Sequence, residues 1–76
     1  MSKSQTFSLN KHINQSLAAE RKRKGLTQAQ IAKKLRKPQS FVSKYENGQR
    51  QLSAADLVAV CKAMGIKPSS FIDTIE

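Results

Sequence analysis

Two short helical patterns joined by a tight basic turn fill residues 26–48, LTQAQIAKKLRKPQSFVSKYENG, and they restrict the fold more than any other stretch. The first opens at Thr27, a good N-cap. Gln30 stands three places on, so the pair fits a capping box of the Thr-x-x-Gln type. Ile31, Ala32 and Leu35 follow as an apolar stripe at helical spacing. The second pattern opens at Pro38, which suits a first helical turn because its missing N–H would have no partner there. Val42 and Tyr45 share one side of it, and Gln39, Ser40, Ser43 and Lys44 share the polar side. Asn47-Gly48 ends the pattern, with a glycine free to take the left-handed conformation after the last turn.

A short helix, a turn and a second helix with one hydrogen-bonding face suit the major groove of DNA. That groove admits one α-helix and is read by amide and cationic side chains. The run Thr27-Gln28-x-x-Ile31-Ala32, then Pro38-Gln39-Ser40-Phe41-Val42-Ser43-Lys44-Tyr45-Glu46-Asn47-Gly48, resembles the phage repressor/Cro-type (XRE-like) helix-turn-helix family of transcriptional regulators. The resemblance covers residues 17–72. It implies an all-α fold, a compact bundle of five short helices of the lambda repressor-like kind, and sequence-specific binding to double-stranded DNA. It also implies an ion pair between Arg21 and Glu46, since the family pairs an arginine at this place with the glutamate before Asn-Gly.

The candidate site residues fall into two groups. Gln39 can be bidentate to adenine and Lys44 can donate to guanine, while Ser40 and Ser43 can serve a base or a phosphate. The plainer reading of all four is a solvated helix face. Thr27 and Gln28 stand at a helix N-terminus, whose free N–H groups make a natural phosphate site. Lys37 adds charge in the turn, Asn47 is a phosphate candidate by resemblance, and Arg50 lies just beyond the reader. Phe41 can pack beside Tyr45 or touch a thymine methyl; packing is the favoured reading. The turn Arg36-Lys37-Pro38 departs from the commonest family pattern of glycine, an apolar residue and a Ser/Thr cap. Arg36 therefore either holds a negative φ or carries strain.

The remaining chain supplies the frame. Residues 1–9 are polar and without a period, and are expected to form a flexible arm, with Lys3 and Lys11 as weak DNA candidates and Phe7 and Leu9 able to fold back. The domain proper is expected over 10–76. A first helix is expected over 10–24, capped by Asn10 or Ser8, with Ile13, Leu17 and Ala18 buried and a basic end closed by Gly25. A fourth helix over 53–64, capped by Ser53, buries Leu57, Val60, Cys61 and Met64. A fifth opens near Pro68-Ser69. Its Phe71, Ile72 and Ile75 either close the core or form a surface for a two-fold homodimer.

Charge and composition narrow the partners. Fourteen Lys and Arg against five Asp and Glu leave a net charge of +9 and a pI near 10.2 on 76 residues, which calls for a polyanion. No apolar run of about 18 residues could span a bilayer. The start, MSKSQTFSLNKH, lacks the pattern of a secretory signal, so a cytoplasmic chain is expected. One cysteine and one histidine build neither a disulfide framework nor a zinc site, and no cofactor is expected. The five acids, Glu20, Glu46, Asp56, Asp73 and Glu76, form no carboxylate pair that would suggest an enzyme. Within the regulator reading, a Cro-like repressor, a restriction–modification controller and the antitoxin of a toxin–antitoxin pair compete. The antitoxin, which would also bind a toxin, is the runner-up. A sequence-neutral nucleic-acid binder is the third reading.

Overall fold

The turns between helices explain the architecture. In the computed structural model, which describes the backbone of residues 2–75 and the side chains of residues 9–75, five helices and no strand are formed among the described residues. They are α1 (Ser2–Arg23), α2 (Gln28–Leu35), α3 (Gln39–Glu46), α4 (Ala54–Ala63) and α5 (Pro68–Ile75). Each of the first four is closed by a residue of positive φ: Gly25 at 71°, Arg36 at 58°, Gly48 at 79° and Gly65 at 75°. In each case the next N–H reaches back to a carbonyl five residues earlier: Leu26 to Arg21, Lys37 to Ala32, Gln49 to Lys44 and Ile66 to Cys61, at 2.8–3.0 Å. This is the Schellman arrangement, which satisfies carbonyls that the last turn leaves open. All three glycines of the chain are spent on it. At the fourth place Arg36 bears the strained conformation, the second of the two options its sequence left open.

The starts are equally explicit. Thr27 caps α2, its hydroxyl accepting the Gln30 N–H at 3.1 Å while the Gln30 side chain accepts the Thr27 N–H at 2.8 Å. Both halves of the capping box are therefore made. Ser53 accepts the Asp56 N–H at 3.1 Å at the head of α4. Pro38 stands at the N-cap of α3, one place earlier than a first-turn proline, and offers no side-chain cap.

The largest departure from the expected layout is at the start. The helix runs back to Ser2, so residues 2–9, expected as an arm, have helical backbone, and Ser8 and Asn10 lie inside the helix instead of capping it. Nothing between residues 2 and 9 is a glycine or proline, and extending a formed helix adds one hydrogen bond per residue fixed. Leu9 is half exposed and does not fold back onto the domain, and Lys11 is exposed. The side chains of Lys3 and Phe7 lie outside the described residues. At its 22 residues α1 is about 33 Å long. The molecule's longest dimension is 37 Å.

The core gathers one face of every helix: Leu17 from α1, Ile31 and Ala32 from α2, Phe41, Val42 and Tyr45 from α3, Val60, Cys61 and Met64 around the end of α4, and Phe71 from α5. Leu57 and Ile75 pack against it half-buried. Phe71, counted among the candidate dimer residues, is only 3% exposed and belongs to this core. Of the three, Ile72 alone is openly exposed. Lys34 of α2 donates to the Ala63 carbonyl at 3.2 Å, placing a cation on the carbonyl end of α4, where the peptide dipoles favour it.

Candidate nucleic-acid interface

Helix α3 has two unlike faces because its apolar residues recur at helical spacing. Phe41, Val42 and Tyr45 are buried. Gln39, Ser40 and Lys44 are exposed, and Ser43 is half-buried. Ser40 and Lys44 are four apart, as are Gln39 and Ser43, so the exposed residues form one stripe along an eight-residue helix. The stripe carries two amide or cationic groups and two hydroxyls, and no acid. Such a face can enter a major groove without desolvating an unpaired negative charge.

What holds this helix is a polar cluster at its C-terminal end. Arg21 of α1 grips Glu46 with two bonds, Nε to Oε2 at 2.7 Å and Nη2 to Oε1 at 3.1 Å. Its remaining Nη1 donates to the Leu26 carbonyl at 2.7 Å. The pair is nearly dry, with the side chains 11% and 7% exposed. The Glu46 carboxylate beside it, against the opposing cost of burial, raises the Arg21 guanidinium further above its ordinary pKa. Glu46 accepts a third bond, from Gln28 Nε2 at 2.9 Å, and Gln28 in turn accepts a long one from Gln39 Nε2 at 3.4 Å. Arginine, glutamate and two glutamines thus run from α1 through both short helices to the first residue of the exposed stripe. Every bond orients its neighbour.

The sequence model of the helix-turn-helix family matches residues 17–71, most of the chain. An XRE-family like protein from Pseudomonas syringae pv. tomato superposes with a TM-score of 0.92 at 30% identity, over 97% of this chain and 90% of that one. This chain is an XRE-family helix-turn-helix protein. The restriction-modification controller protein C.AhdI from Aeromonas hydrophila aligns at 31% identity and a TM-score of 0.74, covering 84% of this chain and 96% of its own. The clp gene regulator ClgR from Corynebacterium glutamicum aligns at 25% identity and a TM-score of 0.80, covering 88% and 71%. No curated protein matches the chain. The XRE-family assignment makes the protein a DNA-binding transcriptional regulator.

Around the XRE-family motif, the phosphate candidates lie in distinct environments. Thr27 is exposed, with its oxygen engaged by Gln30 and its hydroxyl proton still to give. Gln28 is half-buried and tied to Glu46, so its amide is already oriented in the free protein. Lys37, Asn47 and Arg50 are exposed. Asn47 Nδ2 lies 3.5 Å from Ser43 Oγ. Arg50 sits 4.0 Å from Asp56 and stacks on Phe41, its guanidinium carbon 4.7 Å from the ring centroid. Lys37 Nζ lies 5.2 Å from the same centroid. Phe41 also meets Tyr45 edge to face at 5.8 Å and is buried, which agrees with the packing reading.

That aromatic seat for two cations was not legible in the sequence. Lys37 and Phe41 are four apart across a helix start, which is a signal of sorts, but nothing local brings Arg50 there. Asn14 was also missed. It is buried at 6% exposure, and it shares a helix face with Leu17 and Arg21 at spacings of three and four. Among the described residues no group of three or more His, Cys, Asp or Glu could hold a metal, and no helix is long and apolar enough to cross a membrane.

Proposed function

We propose that the protein is a homodimeric regulator that reads a palindromic operator with α3. One observation carries the reading: the exposed stripe of Gln39, Ser40 and Lys44 lies on a helix whose other face is core and whose end is locked by the Arg21–Glu46–Gln28 cluster. A reader must hold its donors in place before DNA arrives, because ordering them on binding would cost affinity. In this reading Gln39 and Lys44 bond base edges, and Ser40 and Ser43 bond bases or nearby phosphates. Thr27, Gln28, Lys37, Asn47 and Arg50 hold backbone phosphates on either side of the groove. A net charge of +9 supports a large sequence-independent share of the affinity.

Two copies would set two α3 helices in successive major grooves, ~34–36 Å apart. Ile72, at 36% exposure on α5, supports a dimer contact at the C-terminal end. Selection from random duplex DNA tests the whole reading. A palindromic consensus with half-sites about one helical turn apart is the expected result. On the selected site, Gln39→Ala and Lys44→Ala should each cost ~1–3 kcal/mol and relax one base position. Strong, salt-sensitive binding to every duplex with no enrichment would instead make this a sequence-neutral binder.

A further inference from the structure

One buried ring, that of Phe41 in the first turn of α3, carries cations from both sides of the reader helix. Lys37, from the turn before α3, places Nζ 5.2 Å from the ring centroid. Arg50, from the loop after it, reaches back to set its guanidinium carbon 4.7 Å from the same centroid. Both separations fall within the ~6 Å over which an aromatic face attracts a cation. Although it stands in a loop, Arg50 keeps only 47% of its side chain exposed.

Much of the surrounding electrostatics opposes this arrangement. The two cations repel each other, and the start of α3 beside them is the positive end of a helix dipole. The first turn of α3 holds no acid, and Pro38 at its N-cap makes no side-chain cap bond. Among the described residues, the one ion pair that either cation makes joins Arg50 to Asp56 at 4.0 Å, the outer limit for such a pair. The ring is the group that both cations share. It is itself held firmly, edge to face with Tyr45 and on the same buried side of α3 as Val42.

We propose that Phe41 is a positioning residue for DNA binding: its ring seats Lys37 and Arg50 in the free protein, so that both cations dock already ordered. The inference rests on the DNA-binding reading above, in which the two cations act, and it gives a core side chain a part in that act. A lysine or arginine loses rotamer freedom when it docks, and seating it beforehand lowers that cost. The seat also fixes the offset of both charges from Gln39 and Ser40, which share the first turn of α3 with the ring.

A double-mutant cycle on the selected duplex tests it. Phe41→Leu keeps an apolar side chain in the core but removes the aromatic face, and thermal melting checks that it is folded at the assay temperature. It should weaken binding roughly two- to tenfold. In a protein that also carries Lys37→Gln and Arg50→Gln, the same change should cost almost nothing, because ring and cations act as one unit. Phe41→Tyr, which keeps the face, should bind like the natural protein. An equal loss from Phe41→Leu in both backgrounds would overturn the proposal, since the ring would then act only through packing. A second readout needs no DNA. In the free protein, NMR of the Arg50 side chain should show ring-current shifts and restricted motion at Nε, both lost in Phe41→Leu. Unshifted, mobile Arg50 signals in the natural protein would overturn the seat itself. Unchanged duplex affinity in Lys37→Gln with Arg50→Gln would overturn the positioning role, while Gln39→Ala reports separately on whether α3 reads DNA.

Discussion

Arg36 is the residue at which this chain holds a conformation its side chain resists. Its φ of 58° and ψ of 43° place it in the left-handed region that the other three helix ends give to glycine. An L-residue there carries a cost of ~1–2 kcal/mol that glycine escapes, less the backbone entropy glycine loses on folding. Arg36→Gly should therefore raise stability by about 1 kcal/mol and the melting temperature by roughly 4–8 °C. A lower melting point would mean the arginine side chain makes up the difference through its charge. Two other residues set the response to alkali. Burial raises the Cys61 thiol above its ordinary 9.0. Burial, with a smaller push from Glu46, raises the Tyr45 phenol above its ordinary 10.0. Both groups stay neutral in the folded state while the unfolded chain releases their protons. The stability they contribute is complete below about pH 9 and falls as pH rises beyond it. Urea midpoints followed from pH 7 to 11 should be flat and then decline, with the first part of the decline missing in Cys61→Ala. A midpoint that climbed above pH 9 would reverse the sign.

At the level of the helices, the Arg21–Glu46 pair decides how α3 is seated. It joins the longest helix to the end of the reader, and Gln28 of α2 shares the same carboxylate. Glu46→Ala would strand a guanidinium that is almost fully buried, with one carbonyl left as its partner. The expected loss is ~3–5 kcal/mol in urea unfolding. Replacing both partners together, Arg21→Met with Glu46→Leu, should recover most of that stability while still impairing DNA binding, because the orienting bonds to Gln28 and then Gln39 would be gone. A single change that cost under about 1 kcal/mol would show the pair to be solvated and dispensable. The same cluster shows what was readable beforehand and what was not. Arg21 and Glu46 were legible as partners through the family resemblance. The role of Gln28 in the cluster was not legible, because its bond to Glu46 spans 18 residues and no local pattern encodes it.

For the whole molecule, the open question of assembly turns on the C-terminal end. Phe71 is spent on the core, which leaves Ile72 as the exposed apolar residue of α5 for a partner copy. On the dimer reading, the 8.5-kDa chain should sediment at twice its mass, and Ile72→Glu should return it to a monomer. Binding to the full palindrome should then drop by roughly a hundredfold or more, while binding to a half-site should hold. An Ile72→Glu protein that remains dimeric would move the interface elsewhere. Much of this architecture could be read from the chain because it is encoded over short spans. The capping box of Thr27 and Gln30, the cap at Ser53, the glycine stops and the apolar stripes of α2, α3 and α4 each depend on residues three or four apart, and local hydrogen bonding dictates them. The start of α1 at Ser2 was not legible because a polar stretch without breakers has no period to read, yet an adjoining helix can extend through it. Folding alone settled the rest. The burial of Asn14, the bond from Gln28 to Glu46 and the stacking of Arg50 on Phe41 join segments far apart in sequence, and such contacts exist only once the helices have packed.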